Sequence, residues 1–207
     1  MSAADAYAEI VRESVGLAGE ELITYWATQL PYFSRDEYLE STLRPTEIMR
    51  FGNGTFEYVY DHYTAFEHRG EVPYDAWEED RLVVACGRSA PEKRRRDDGR
   101  LVGWVGRTNR VFGTAWDKGH YIAHSIGGSV DGVEVNVFVQ RRDLNRGWSA
   151  EGKLYRQMEQ YCAAHPKTFC FARPIYMDGT ARPAWIDFGL LQTDGHLWAE
   201  RFDNRWC

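Results

Sequence analysis

The sequence predicts an α+β fold, with helices first and strands in most of the remaining chain, and three observations predict it. The N-terminal segment carries apolar residues at spacings of three and four, which is typical of an amphipathic helix. Aromatic and β-branched runs separated by polar turns follow, which is typical of strands. A further helical pattern, from Ser149 to Ala164, interrupts the later strands.

Two helices are predicted before residue 50. The first runs from Ala3 to Thr28 and is expected to end before Pro31, because proline cannot donate a helical hydrogen bond. The second begins at Ser34, which forms a capping-box pattern with Glu37, and stops before Pro45. The apolar stripe of the first helix consists of Tyr7, Val11, Val15, Ala18, Leu22 and Trp26.

Strands are predicted in four segments and a C-terminal hairpin. The segments are TFEYVYDHYTAFEHR after the Gly52-Asn53-Gly54 turn, then RLVVACG, RLVGWVG and EVNVFVQ. The hairpin, ARPAWIDFGLLQTDGHLWAERF, is expected to turn at Asp194-Gly195, because Asp-Gly favours a two-residue turn.

Length and composition restrict the class of protein. The 207 residues fit one domain, or one domain with an appended piece. A hydrophobic fraction of 43% beside 27% charged residues excludes a disordered chain. There is no apolar stretch long enough to span a bilayer and no secretory signal pattern, so we expect a cytoplasmic protein without a membrane partner. The four cysteines form no CxxC pair, which argues against a zinc knuckle.

Charge is distributed unevenly along the chain. Residues 1–80 carry 17 acidic and 5 basic residues, a net charge of −12, whereas residues 81–207 carry 14 and 20, a net of +6. This asymmetry suggests a region that handles a polyanion behind an acidic piece. We therefore divide the chain into a helical acidic extension, residues 1–50, and a functional domain, residues 51–207.

The chemically informative stretch begins at the cluster Asp117-Lys118-Gly119-His120. Cations around a histidine favour its neutral form, so His120 is a candidate general base near pH 7. Asn136 and Asn145 follow, and amide oxygens are hard ligands that suit Mg²⁺. A carboxylate on the next helix could hold the waters of such an ion. A neutral base, a hard cation and clustered Arg and Lys together suit attack of water on a phosphodiester.

In these residues the chain resembles the DNA/RNA non-specific endonuclease family. The family signature is Asp-Arg-Gly-His, an Asn opening a strand, Leu-Asn-(Gln/Arg)-Gly before a helix, and a Glu within that helix. Here DKGH, VNVFVQ, DLNRG and YRQME follow in the same order, and the resemblance covers residues 104–190. It implies a ββα-metal finger on an antiparallel sheet. It does not cover residues 1–80, so the N-terminal helical extension, residues 1–50, rests on the helical pattern and the charge alone.

The resemblance implies a role for each matching residue. His120 would be the general base that activates water, and Asn145 would be the direct protein ligand of Mg²⁺, for which Mn²⁺ could substitute. Asn136 would be an active-site amide that supports the substrate or His120. Lys118 stands where the family has arginine, so it keeps the charge but loses the bidentate fork that clamps phosphate.

The helix carboxylate has two candidates. Glu159 matches the family's aromatic-x-x-apolar-Glu pattern and would orient the waters of the metal, which makes it both a catalytic and a metal-site residue. It lies 14 residues after Asn145, farther than the family pattern, which leaves Glu151 as the alternative. His124, four residues after His120, is expected to be structural, because the carboxylate of an HExxH zinc motif is missing.

Cations around the motif are candidates for binding nucleic-acid phosphates. One of Arg107 and Arg110 is expected to contact the transition-state phosphate, and Arg110 is included among the catalytic candidates. The full set of nucleic-acid-binding candidates is Arg107, Arg110, Lys118, Arg141, Arg142 and Arg146.

The sequence thus predicts a Mg²⁺-dependent, sequence-non-specific endonuclease that cleaves DNA, RNA or both. The alternative is a catalytically degenerate module that binds nucleic acid or a protein without cutting, supported by Lys118 and the shifted glutamate. A role as a toxin or defence effector, restrained by an inhibitor or immunity protein, is compatible with the first prediction. The apolar stripes of the N-terminal helices must be buried on the nuclease core or on another chain, so homo-oligomers are a further expectation.

Overall fold

The computed structural model describes residues 3–42, 46–62, 80–91, 113–129 and 133–205. Within them, the helices are α1 (Ala3–Ala6), α2 (Ala8–Glu13), α3 (Gly19–Ser41), α4 (Arg142–Asn145) and α5 (Ala150–Ala164). The strands are β1 (Ile48–Asn53), β2 (Phe56–Asp61), β3 (Arg81–Arg88), β4 (Trp116–His120), β5 (Val137–Arg141), β6 (Phe169–Ile175), β7 (Trp185–Leu191) and β8 (Leu197–Asp203). Short 3₁₀ turns lie at His124–Ile126 and Glu134–Asn136.

Two antiparallel sheets organise the described chain. The main sheet has the strand order β1-β2-β3-β6-β7-β8, and the small sheet pairs β4 with β5. All of their pairings are antiparallel, and helices α4 and α5 follow β5 directly. The predicted α+β class is confirmed. The small sheet followed by α5 gives a ββα arrangement.

The main sheet separates two layers of the structure. On β6, Phe171 packs in one core cluster with Trp26 of α3. Its neighbour Ala172 points to the other side and packs in a second cluster with Met158 of α5. This alternation follows from the two-residue period of a strand. The N-terminal helices therefore cover one face of the sheet, and α5 covers the opposite face.

The N-terminal helices differ from the prediction in two ways. The predicted first helix is interrupted between α2 and α3, where Gly16 and Gly19 have positive φ angles of 91° and 54°. Helix α3 then continues through Pro31 to Ser41, so Pro31 does not end it, and Ser34 is a buried interior residue instead of an N-cap. Helix α3 buries a stripe of residues at a constant spacing of four on the sheet: Leu22, Trp26, Leu30, Ser34 and Tyr38. The free energy gained by this burial outweighs the loss of the hydrogen bond that Pro31 cannot donate.

Several strand predictions are confirmed and others need correction. RLVVACG forms most of β3, and the second half of EVNVFVQ forms most of β5. The C-terminal hairpin exists, although five residues, 192–196, connect β7 to β8 instead of two. Strand β1 was not predicted, and it contains the predicted domain boundary at residue 50. RLVGWVG and the end of TFEYVYDHYTAFEHR lie outside the described residues. Among the described helices, none is long and apolar enough to cross a bilayer.

Candidate active site

An open cleft of about 550 Å³ lies between the small sheet and α5. It gathers three predicted site residues that are far apart in the sequence: His120 at the end of β4, Asn145 at the end of α4 and Glu159 on α5. The other lining residues are Ala123, His124, Ser125, Gln140, Tyr155, Arg156, Gln160 and Ala163. The cleft therefore combines an imidazole, amides, a carboxylate and a guanidinium at one site.

Glycine is required at position 119 because Gln140 of β5 occupies the space that a side chain would need. A Cβ atom at Gly119 would lie 2.3 Å from Oε1 and 2.6 Å from Cβ of Gln140. Gln140 is buried, with 1% of its surface exposed, and lines the cleft next to His120. Gly119, the residue before His120, thus allows β4 and the Gln140 side chain of β5 to approach closely at the edge of the cleft.

The segment after His120 is held by Asn136. Its side-chain Oδ1 accepts a hydrogen bond from the Ile122 amide at 2.9 Å, and its Nδ2 donates to the carbonyls of Ile122 at 3.0 Å and Ser129 at 2.9 Å. Asn136 is fully buried and is not among the residues lining the cleft. The structure therefore places it beneath the loop, where it can support His120 through the backbone but does not reach a substrate in the cleft.

Asp117 organises the chain around Asn145. Its carboxylate accepts hydrogen bonds from Arg142 Nε at 3.0 Å and Arg146 Nε at 2.6 Å. Burial favours a higher pKa for Asp117, but the bonds from Arg146 and Arg142 outweigh it and hold the pKa below its ordinary value. Asn145 Nδ2 also donates to Asp117, at 3.4 Å. Asn145 itself lines the cleft, and the amide oxygen is the atom of its side chain that can act as a hard ligand.

The two candidate carboxylates have different surroundings. Glu159 lines the cleft, and burial raises its pKa to about 7, partly offset by the positive charge of Arg156. Glu151 does not line the cleft. Its carboxylate lies 3.5 Å from the Asp203 amide and 3.7 Å from Arg141 Nη2. Of the two, the structure brings Glu159 to His120 and Asn145.

The predicted phosphate-binding cations are mostly engaged elsewhere. Arg141 binds Asp143, with its Nη2 2.6 Å from Oδ2, and Arg142 binds Asp117. Neither lines the cleft, and neither does Lys118, which is half-buried on β4 and whose pKa is lowered by burial. Arg146 also binds Asp117 but keeps 47% of its side-chain surface exposed. Arg107 and Arg110 lie outside the described residues.

Two lining residues, Arg156 and Gln140, were not predicted from the sequence. Arg156 is exposed, lines the cleft and donates from Nη2 to the Asn145 carbonyl at 3.2 Å. Gln140 was treated only as part of a strand. His124, which was expected to be structural, also lines the cleft and is the first residue of the 3₁₀ turn His124–Ile126. The i, i+3 spacing of Arg156 and Glu159 on one helix was the available signal for Arg156, because such residues share a face.

Comparison with known proteins adds similarities without identifying a family. No protein-family model and no curated protein matches the chain. A solved structure described as an "extracellular endonuclease" is similar with a TM-score of 0.38 and 12% identity, covering 80% of this chain and 81% of that one. A second, "Structure of Sda1 nuclease with bound zinc ion", has a TM-score of 0.40 and 16% identity, covering 77% of this chain and 74% of that one. Because both TM-scores are below 0.5, we rest the function on the cleft itself.

Proposed function

We propose that the chain is a metal-dependent, sequence-non-specific endonuclease that hydrolyses phosphodiester bonds of DNA, RNA or both. The single observation that carries the proposal is that His120, Asn145 and Glu159, chosen from sequence order, line one cleft. A base, a hard oxygen ligand and a carboxylate together suit the attack of water on a phosphodiester.

His120 is the group proposed to take a proton from the attacking water. It stands at the end of β4, where the small sheet and the Asn136 hydrogen bonds fix the backbone on both sides of it. A base held in this way loses little entropy when it accepts the proton, which is the condition for efficient general-base catalysis.

The donor set of the cleft fits a hard divalent cation such as Mg²⁺. The Asn145 amide oxygen and the Glu159 carboxylate are oxygen ligands, and these are the residues that would hold the ion. In the described parts of the chain no group of three or more His, Cys, Asp or Glu could form a dedicated metal cage. A site with few protein ligands suits Mg²⁺, which keeps most of its waters. When bound, the ion would polarise the phosphoryl oxygens and offset their negative charge.

Arg156 supplies the positive charge that a phosphate in the cleft would meet. It lines the cleft on the same helix as Glu159, and its guanidinium is anchored on the Asn145 carbonyl. Guanidinium groups bind phosphate oxygens with charge-assisted hydrogen bonds. Contacts to the backbone alone carry no base or sugar information, so we propose no preference for sequence.

The test is nicking of a supercoiled plasmid with Mg²⁺, with Mn²⁺ and with EDTA. We expect nicking with either ion and none with EDTA. His120→Ala is expected to lower the rate by about 10² to 10⁴, the usual loss for a positioned base. A gel shift with a short duplex in EDTA should show that this variant still binds.

The matched control is His196→Ala, which removes an exposed histidine from the loop between β7 and β8. Its nicking rate should equal that of the wild type. If His120→Ala also nicks at the wild-type rate, His120 is not the base. If the wild type binds the duplex but does not nick it with any divalent ion, the chain is the binding module instead.

A further inference from the structure

Trp148 is an exposed tryptophan beside the cleft. It follows Asn145, Arg146 and Gly147 in the loop that leads into α5, and 62% of its surface is exposed. Among the described residues, the other large hydrophobic side chains exposed to this degree are Val15 and Met177, which are not aromatic. The exposed indole therefore offers a flat apolar surface that a binding partner can contact.

The backbone under Trp148 is held in place. The Trp148 amide donates to the Asp143 carbonyl at 2.8 Å, and the Asp143 carboxylate is paired with Arg141. Arg141 Nη1 in turn donates to the Asp203 carbonyl on β8 at 3.0 Å. These bonds connect the loop to the main sheet, so the exposed indole is carried by a fixed backbone.

Gly147 shapes the loop so that it joins the cleft. Its φ of 69° is left-handed, and a Cβ atom there would lie 2.6 Å from Cδ of Arg156. The stem of Arg156 therefore packs against the loop while the residue lines the cleft. On the other side, the Arg146 guanidinium lies 5.2 Å from the centre of the Trp148 ring and also binds Asp117. Arg146 therefore connects Trp148 to Asp117, which is also hydrogen-bonded to Asn145.

We infer that Trp148, with Arg146 beside it, is a stacking platform for an unpaired base of a single-stranded nucleic acid whose backbone enters the cleft. The class of ligand, a nucleic acid, rests on the proposed function. An indole face and an adjacent guanidinium match the two parts of a nucleotide, the flat base and the phosphate. A base inside a duplex has both faces covered by its neighbours, so only unpaired segments or ends can use this platform.

The experiment measures binding and cleavage separately. Binding is followed by the fluorescence anisotropy of a fluorescein-labelled oligothymidine in EDTA, and cleavage by KM and kcat on one oligonucleotide as a single strand and as a duplex with Mg²⁺. For Trp148→Ala we expect about a tenfold loss of affinity for the oligothymidine, within the range for losing one stacked base. KM for the single strand should rise by a similar factor, and KM for the duplex should stay within about twofold. Trp148→Phe should keep most of the single-strand affinity, because a ring remains.

Tyr32→Ala is the matched control. Tyr32 is also an exposed aromatic residue, with Arg35 5.6 Å from its ring centre, but it lies on α3, across the main sheet from the cleft. The Tyr32→Ala substitution should leave the affinity for the oligothymidine, KM and kcat unchanged.

Three results would overturn the inference. Wild-type affinity of Trp148→Ala for the oligothymidine removes it and leaves the endonuclease proposal intact. If Trp148→Ala raises KM equally for the single strand and for the duplex, Trp148 has no preference for unpaired bases. A change of molecular mass by light scattering, without a change of affinity, would assign Trp148 to an interface between copies.

If the wild type cleaves nothing but Trp148→Ala still loses affinity, the platform stands and the proposed catalysis fails.

Discussion

Gly119→Ala is the substitution whose consequence can be worked out most directly from the structure. The new Cβ atom would lie 2.3 Å from Oε1, 2.9 Å from Cδ and 2.6 Å from Cβ of Gln140. Rotation of the Gln140 side chain could move Oε1 but not its Cβ, which is fixed to β5. One strand of the small sheet must therefore shift, by about 1 Å if normal contact distances are to be restored.

Two losses of different size are expected. Overpacking of a close contact costs about 1 to 3 kcal/mol, and each kcal/mol lowers the melting temperature by about 2 to 4 °C in a chain of this length. A shift of about 1 Å next to a catalytic base costs about 10²-fold in rate. We therefore expect a folded protein with a moderately lower melting temperature and a nicking rate lowered by about two orders of magnitude.

The assay pairs thermal unfolding by circular dichroism with plasmid nicking measured well below the melting temperature. Gly52→Ala is the control, because that glycine also lies in a strand and a Cβ atom there would meet only the Phe56 carbonyl oxygen, 4.0 Å away. The double variant Gly119→Ala/Gln140→Gly removes the obstructing side chain and should recover part of the stability. Wild-type stability and nicking in Gly119→Ala would show that this contact does not shape the cleft.

Three further predictions concern the cleft and the core. Glu159→Gln should depress nicking far more than Glu151→Gln, because only Glu159 lines the cleft; the reverse order in a nicking assay would move the helix carboxylate to Glu151. Asn145→Ala should raise the Mg²⁺ concentration needed for half-maximal nicking, and an unchanged Mg²⁺ titration would remove it from the metal site. Trp26→Ala should lower the free energy of unfolding by about 3 to 5 kcal/mol in a urea titration, because Trp26 is 1% exposed; a change below about 1 kcal/mol would contradict its place in the core.

The parts of the fold that the sequence predicted are those determined by local patterns. Helix α5 begins where expected, because Ser149 is an N-cap whose hydroxyl accepts from the Gly152 amide at 3.0 Å. Strand β3 is a continuous apolar run, and such a run predicts a buried strand. The end of the N-terminal helix depended on tertiary burial instead. Packing of its stripe on the sheet keeps α3 helical past Pro31, and Pro31 alone could not show this.

In the candidate site, too, some residues followed from local sequence patterns and others depended on contacts made only in the folded chain. The order of DKGH, DLNRG and the helix glutamate singled out His120, Asn145 and Glu159, and these three residues line one cleft. The cations were harder, because a basic residue near a motif can equally serve an internal carboxylate. Arg142 does so, binding Asp117, and the sequence contains no sign of that pairing. Gln140 could not be assigned either, since its importance comes from the backbone of a strand that it meets only in the folded sheet.

The N-terminal helices bury apolar side chains on the main sheet of the same chain, which is one of the two placements expected for them. Trp26 packs with Phe171 and Val84 on the face of the main sheet opposite α5 and the cleft, so these helices do not cover the site. Tyr7 also donates to the buried carboxylate of Asp187 at 2.9 Å and accepts from Arg173. Removing the helices would uncover an apolar sheet face and leave that carboxylate with fewer partners. The layer is therefore a structural part of the domain, and its removal should yield insoluble protein.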